Sequence, residues 1–69
     1  MTVEEYRVSL GWSAAELARQ AKLTPRTIAR IENGEPAYAH TVGAIARAFS
    51  QALGRTITIH DLEGVNIVG

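Results

Sequence analysis

The chain has 69 residues, which make one domain and leave no room for a second. Its composition of 46% hydrophobic and 20% charged residues, with a net charge of zero, is typical of a globular protein. The lack of cysteine excludes a disulfide framework and a thiolate metal site, and no apolar run approaches the roughly 20 residues that span a bilayer. With an acidic N-terminus that lacks a signal-peptide core, these features predict a soluble, cytoplasmic protein.

Two capping boxes predict the first two helices, at Thr2–Glu5 and Ser13–Glu16. In this motif a hydroxyl and a carboxylate three residues later satisfy the first backbone N–H groups of a helix. The first helix is expected to end at Gly11. Apolar residues of the second helix follow the spacing of three and four that is typical of a helix face: Ala14, Leu17, Ala18 and Ala21.

A third helix is predicted to begin at Thr24 and Pro25. Threonine caps helices, and proline at the first helical position loses no N–H that the helix needs. Ile28 and Ile31 fall on one face of this helix. It is expected to end at residues 33–34, an Asn-Gly pair, because both residue types tolerate the left-handed conformation that closes helices.

The remaining sequence predicts two more helices and no regular sheet. A fourth helix is expected from residue 39 or 41 to Leu53, and a short fifth helix at Ile59–Glu63. We therefore predict an all-α, five-helix domain over residues 1–64. The tail, residues 65–69, is more apolar than a solvated terminus usually is. Two interpretations are open: it folds back over the first and fifth helices, or it contacts a second copy of the chain.

The net charge of zero hides an uneven distribution. Residues 17–31 contain no Asp or Glu but four basic residues: Arg19, Lys22, Arg26 and Arg30. A basic patch of this kind is the electrostatic footprint of nucleic-acid binding. An ordinary solvated helix face accounts for the charge alone equally well.

The second and third helices also satisfy the requirements of a helix-turn-helix. This motif needs a small residue in its first helix, a tight turn, and buried aliphatic residues on its second helix. Ala18, residues 21–23 and the pair Ile28 and Ile31 fit these three positions. The outer face of the second motif helix then carries Pro25, Arg26, Thr27, Ala29 and Arg30.

The run from Leu10 to Gly34 resembles the lambda-repressor/Cro-type (Xre) helix-turn-helix family. The resemblance is carried by Glu16-Leu17-Ala18, by Thr27-Ile28 and by the run Ile31 to Gly34. Residues 41–49 and 57–62 are similar to the fourth and fifth helices of that family. The resemblance implies a lambda-repressor-like domain and a transcriptional regulator that inserts its third helix into the major groove, as a homodimer on a near-palindromic operator.

The resemblance also implies roles for individual residues. Base reading falls to the third helix, with Arg26 and Arg30 foremost and with Pro25, Thr27 and Ala29 beside them. Contacts to the DNA backbone are expected from Ser13, Arg19, Lys22, Thr24, Asn33, Tyr38, His40 and Thr41. An ion pair between Arg7 and Glu32 is expected to be structural. Where the family often has glutamine this chain has Ala14, and Lys22 replaces a common turn glycine, which predicts a positive φ there.

Other functions remain as alternatives. The same fold serves DNA-binding antitoxins of toxin–antitoxin pairs, and it could serve as a protein-interaction module without DNA binding. His40 and His60 have no cysteine or carboxylate at ligand spacing, so no metal and no other cofactor is expected. Nothing in the sequence places a catalytic set of Ser, His and Asp in a pocket, and we expect no enzyme activity.

Overall fold

Four α-helices, one 3-10 turn and two short strands make up residues 1–68, the part of the chain that the computed structural model describes. In chain order the elements are α1 (Val3–Ser9), α2 (Ala14–Ala21), α3 (Pro25–Glu32), β1 (Pro36–Tyr38), α4 (Ala39–Leu53), the 3-10 turn (Ile59–Asp61) and β2 (Asn66–Val68). Gly69, the last residue of the predicted tail, lies outside this range. Within it, no helix is long and apolar enough to cross a membrane.

The first predicted capping box is complete and the second is only half formed. The hydroxyl of Thr2 accepts from the N–H of Glu5 at 3.1 Å, and the carboxylate of Glu5 accepts from the N–H of Thr2 at 2.7 Å. At α2 the hydroxyl of Ser13 accepts from the N–H of Glu16 at 3.0 Å. The Glu16 carboxylate does not return to the cap, because it pairs with Arg19 and accepts from Gln20 one turn further along.

Each of the four α-helices is followed within two residues by a residue with left-handed φ. These residues are Gly11 (+72°), Lys22 (+60°), Gly34 (+82°) and Gly54 (+69°). After α3 the N–H of Gly34 donates to the carbonyl of Ile31 and the N–H of Glu35 donates to the carbonyl of Arg30, both at 3.0 Å. This double closure is the Schellman motif, which reverses the chain within two residues. Lys22 confirms the positive φ predicted for it.

The four helices enclose one core that centres on Phe49. The ring of Trp12 stacks on that of Phe49 with a centroid distance of 6.2 Å, and the ring of Tyr6 is tilted against it at 5.1 Å. The largest side chains that are wholly buried come from three helices: Leu17, Ile28, Val42, Ile45 and Phe49. The core thus draws on α2, α3 and α4, which fixes the helices of the predicted helix-turn-helix against the long helix α4.

The predicted fifth helix, Ile59–Glu63, is wrong: only a single 3-10 turn forms at Ile59–Asp61. The carboxylate of Asp61 accepts from the N–H of Thr58 at 2.9 Å and from its hydroxyl at 3.1 Å, and these bonds hold the pKa of Asp61 below its usual value. Leu62 then turns extended and is buried, and the N–H of Glu63 donates to the carbonyl of Met1. Helix nucleation is unfavourable, and a helix of one or two turns gains too few hydrogen bonds to offset it. The segment after Asp61 is therefore held by the contacts of Leu62 and Glu63 with the rest of the domain instead of by helical hydrogen bonds.

The expectation of no sheet is also wrong, because β1 and β2 form a parallel pair. Pro36 lies opposite Asn66, Ala37 opposite Ile67 and Tyr38 opposite Val68. Proline favours extended backbone, and the β-branched residues of the tail suit a strand. The tail therefore folds back on its own chain: β2 lies beside the loop that follows α3, and Val65 lines a hollow with Val3 and Glu4 of α1. Ile67 and Val68 remain 38% and 37% exposed.

The left-handed conformation of Lys22 predicts that Lys22→Gly stabilises the protein. Glycine adopts this φ without the contact between Cβ and the carbonyl oxygen, so the free energy of unfolding should rise by about 0.5–1 kcal/mol. Urea denaturation measures the change. Lys22→Ala is the control, because it removes the same charge but keeps the Cβ. Equal stabilisation by both variants would show that the charge, not the backbone, sets the effect.

Candidate nucleic-acid interface

The predicted helix-turn-helix is present in α2 and α3. Ala18 is 1% exposed at the middle of α2, and Ile28 and Ile31 are buried on the inner side of α3. The turn between the helices closes at Lys22, where the N–H of Leu23 donates to the carbonyl of Ala18 at 2.8 Å. The inner faces of both helices are therefore committed to the core, and the outer face of α3 is left to solvent.

The outer face of α3 carries the five residues predicted to read bases. Pro25, Arg26, Ala29 and Arg30 are exposed, and Thr27 is half-buried. The cap of the helix engages Thr27: its N–H donates to the hydroxyl of Thr24 at 3.2 Å, and the two hydroxyls lie 3.0 Å apart. Arg26 and Arg30 lie one turn apart and project from the same exposed side of the helix.

The two arginines of this face differ in their surroundings. The Nε of Arg30 donates to Oε1 of Glu35 at 3.1 Å. Arg26 makes no ion pair within residues 1–68. Glu35 was not among the interface residues predicted from the sequence. The signal was nevertheless present, because a Schellman closure at Gly34 brings the residue after the glycine back over the helix turn that contains Arg30.

A groove between α3 and the start of α4 joins several of the predicted site residues. Thr27 and Arg30 line one side, and Tyr38 and Thr41 line the other. Tyr38 and His40 are exposed and stack with their ring centroids 5.8 Å apart. Tyr38 precedes α4 without giving a side-chain cap, and the first turn of α4 contains no acidic residue. The first N–H groups of α4 thus retain the partial positive charge that attracts anions.

The other predicted backbone-contact residues lie on α2, on the turn and at the ends of α3. Ser13 is exposed as the N-cap of α2, and Thr24 and Asn33 are exposed at the two ends of α3. Arg19 pairs with Glu16 on its own helix. Lys22 instead shares a hollow with Arg47 of α4, a basic residue that was not among the predicted site residues.

An ion pair holds α1 to the end of α3. The Nε and Nη2 atoms of Arg7 donate to the two carboxylate oxygens of Glu32 at 2.8 and 3.2 Å, and Nη1 donates to the carbonyl of Trp12 at 3.1 Å. Both side chains are about seven-eighths buried, with exposures of 15% and 13%. The hydrogen bond to Glu32 raises the pKa of Arg7. The pair that the family resemblance implied is therefore confirmed, and it links α1 to the last turn of α3.

A family model described as helix-turn-helix matches residues 3–59. The chain belongs to the lambda-repressor/Cro-type helix-turn-helix family. No curated protein and no solved structure matches the chain. Members of this helix-turn-helix family are DNA-binding domains and are typically not enzymes. The matched segment contains α1 to α4 and the 3-10 turn as far as its first residue, Ile59.

The anchoring pair predicts that Glu32→Gln destabilises the protein. The substitution leaves a largely buried guanidinium without its charged partner, so the free energy of unfolding should fall by about 1–3 kcal/mol. Glu4→Gln is the matched control: Glu4 lies 3.9 Å from Nη2 of Arg7 but its side chain is 67% exposed. We expect this control to change stability by less than about 0.5 kcal/mol. Equal effects of both variants in urea denaturation would refute the anchoring role.

Proposed function

We propose that the chain is a sequence-specific transcriptional regulator that reads the major groove of DNA with α3 as a homodimer. The observation that supports this most directly is the pair Arg26 and Arg30, both exposed on the outer face of the second motif helix. Membership in a family of DNA-binding domains supports the proposal. A stretch free of acids, residues 17–31, surrounds both arginines with other basic residues.

The base-reading roles follow from side-chain chemistry. Arginine donates two parallel hydrogen bonds to O6 and N7 of guanine, which is the commonest specific contact in the major groove. Ala29 lies between the arginines in sequence and offers a methyl group to the C5-methyl of thymine. Pro25 gives an apolar contact at the leading end of the helix. Thr27 presents its methyl group, because its hydroxyl is engaged by Thr24.

Backbone contacts would fix the register of α3 on the duplex. Tyr38, His40 and Thr41 stand around the uncapped start of α4, where N–H groups can donate to a phosphate. At the other side of α3, Ser13, Lys22 and Thr24 offer hydroxyl and ammonium donors, with Arg19 and Asn33 flanking them. A dimer would place two α3 helices about one helical turn apart on a near-palindromic operator. Such a dimer regulates transcription by occluding the promoter or by contacting polymerase.

A protein-interaction module on the same fold is the second candidate. It is supported by the Arg30–Glu35 pair, which neutralises one of the two arginines of the exposed face, and by the net charge of zero. Phosphate binding relies on uncompensated cations. The two candidates therefore make opposite predictions about binding to duplex DNA at low salt.

Substitution of both reading arginines should abolish sequence preference. We expect Arg26→Ala/Arg30→Ala to lose on the order of tenfold or more in discrimination per contact while a salt-dependent, non-specific affinity remains. Titration of fluorescent upstream and unrelated duplexes at two salt concentrations measures both quantities. Arg55→Ala is the control, because it removes a positive charge from an exposed position outside the interface. A wild-type protein that binds no duplex at low salt would refute DNA reading and favour the protein-interaction module.

The dimer contact is proposed at the exposed apolar residues of β2. Ile67→Lys places a charge in this contact, so the wild type should bind an operator as two chains and the variant as one chain or with lost cooperativity. Light scattering of the free and DNA-bound protein measures the mass. Val8→Lys is the matched control, since Val8 is 63% exposed on α1. Retention of the two-chain mass by the Ile67 variant would exclude β2 as the dimer contact.

A further inference from the structure

Glu35 places a carboxylate beside an arginine that is proposed to read DNA. Its side chain is 45% exposed and the Arg30 side chain is 58% exposed, so both face solvent at the end of α3. A negative charge at this place repels phosphates and lowers affinity for every duplex. Glu35 therefore weakens binding to DNA of any sequence. Its contact with Arg30 suggests a role in how that arginine is held.

The backbone, rather than chance side-chain contact, brings the two residues together. The N–H of Glu35 donates to the carbonyl of Arg30 itself, and the N–H of Gly34 donates to the carbonyl of Ile31. Gly34 holds this closure at a φ of +82°. Because the main chain at residue 35 is tied to the main chain at residue 30, fewer rotamers must be fixed for the carboxylate to reach the guanidinium.

The contact leaves the outer donors of Arg30 available. Glu35 accepts from Nε at 3.1 Å, and Nη1 and Nη2 have no hydrogen-bond partner within residues 1–68. A guanidinium is planar and rigid, so a bond at Nε fixes the direction of the remaining N–H groups. Those groups form the fork that matches O6 and N7 of guanine. Arg26, without such a partner in the same described range, keeps its side-chain freedom.

We propose that Glu35 is a specificity-determining positioning residue, which holds Arg30 at Nε so that its Nη fork meets one guanine of each half-site. The inference rests on the proposed function. Two effects follow from one side chain. The fixed fork increases discrimination at the base pair that Arg30 reads, and the negative charge reduces affinity for DNA that offers no guanine there. Glu35 thus raises the ratio of specific to non-specific binding, the quantity that decides whether an operator is found among competing sites.

The test compares wild type with Glu35→Gln on a pool of duplexes that have a randomised central segment, followed by titration of selected and single-substituted duplexes. Glutamine is nearly isosteric and lacks the charge, but its amide oxygen can still accept from Nε of Arg30, so Glu35→Ala, which removes the acceptor as well, is measured beside it. We expect both variants to bind arbitrary duplexes more tightly, and we expect Glu35→Ala to lose on the order of tenfold in preference at one base pair of each half-site. Melting temperature should stay unchanged, because an exposed ion pair contributes little to stability. Glu4→Gln is the control for net charge, since Glu4 lies on α1.

A double-mutant cycle separates positioning from direct contact. In an Arg30→Ala background, Glu35→Ala should no longer change the preference at that base pair, because Glu35 acts through Arg30. A change that persists in this background would mean that Glu35 contacts the base itself and would overturn the positioning role. Unchanged preference in Glu35→Ala, with wild type still selective, would overturn this inference and leave the proposed function standing. A wild-type protein that binds no duplex would overturn both.

Discussion

The left-handed residue that ends each helix is the constraint on which the rest of this molecule depends. Helices of seven or eight residues are unstable in isolation and gain their stability from packing. A left-handed closure reverses the chain within one or two residues, so α1, α2 and α3 can each turn their apolar side chains toward Phe49. The same closures set the direction in which α3 leaves α2 and bring Glu35 back onto Arg30. The left-handed closures thus determine the packing of the core, the geometry of the helix-turn-helix and the arrangement of the exposed face of α3.

Local signals in the sequence predicted most of the fold. The caps at Thr2, Ser13 and Thr24 each depend on contacts within a few positions, and all three are present in the structure. The positive φ of Lys22 followed from comparison with the family's turn glycine. The family resemblance added the Arg7–Glu32 pair, which links residues far apart in sequence and which periodicity alone does not indicate. The helix-turn-helix followed from both kinds of signal, because its turn is local and its aliphatic spacing is regular.

The features that the sequence did not predict involve competition between partners or distant contacts. Glu16 had two neighbouring donors, Arg19 and Gln20, which took its carboxylate away from the helix cap. The predicted fifth helix does not form because its last residues contact the N-terminus instead: Glu63 pairs with Thr2 in an isolated β-bridge. The pairing of β1 with β2 depends on which distant segments the helices bring side by side. The position of Glu35 in the interface could have been predicted from the sequence. A Schellman motif at Gly34 brings the next residue back over the last turn of α3.

The parallel strand pair is expected to form later in folding than the helices. Helix closures join near neighbours in sequence and form quickly, whereas Pro36 meets Asn66 only after the intervening segment, with all of α4, has folded. The strand pair is therefore expected to form late and to open first in local fluctuations, because few buried residues hold it. Each opening would release Tyr38 at the edge of the interface while α2 and α3 stay folded, so motion at this edge is separable from unfolding of the motif.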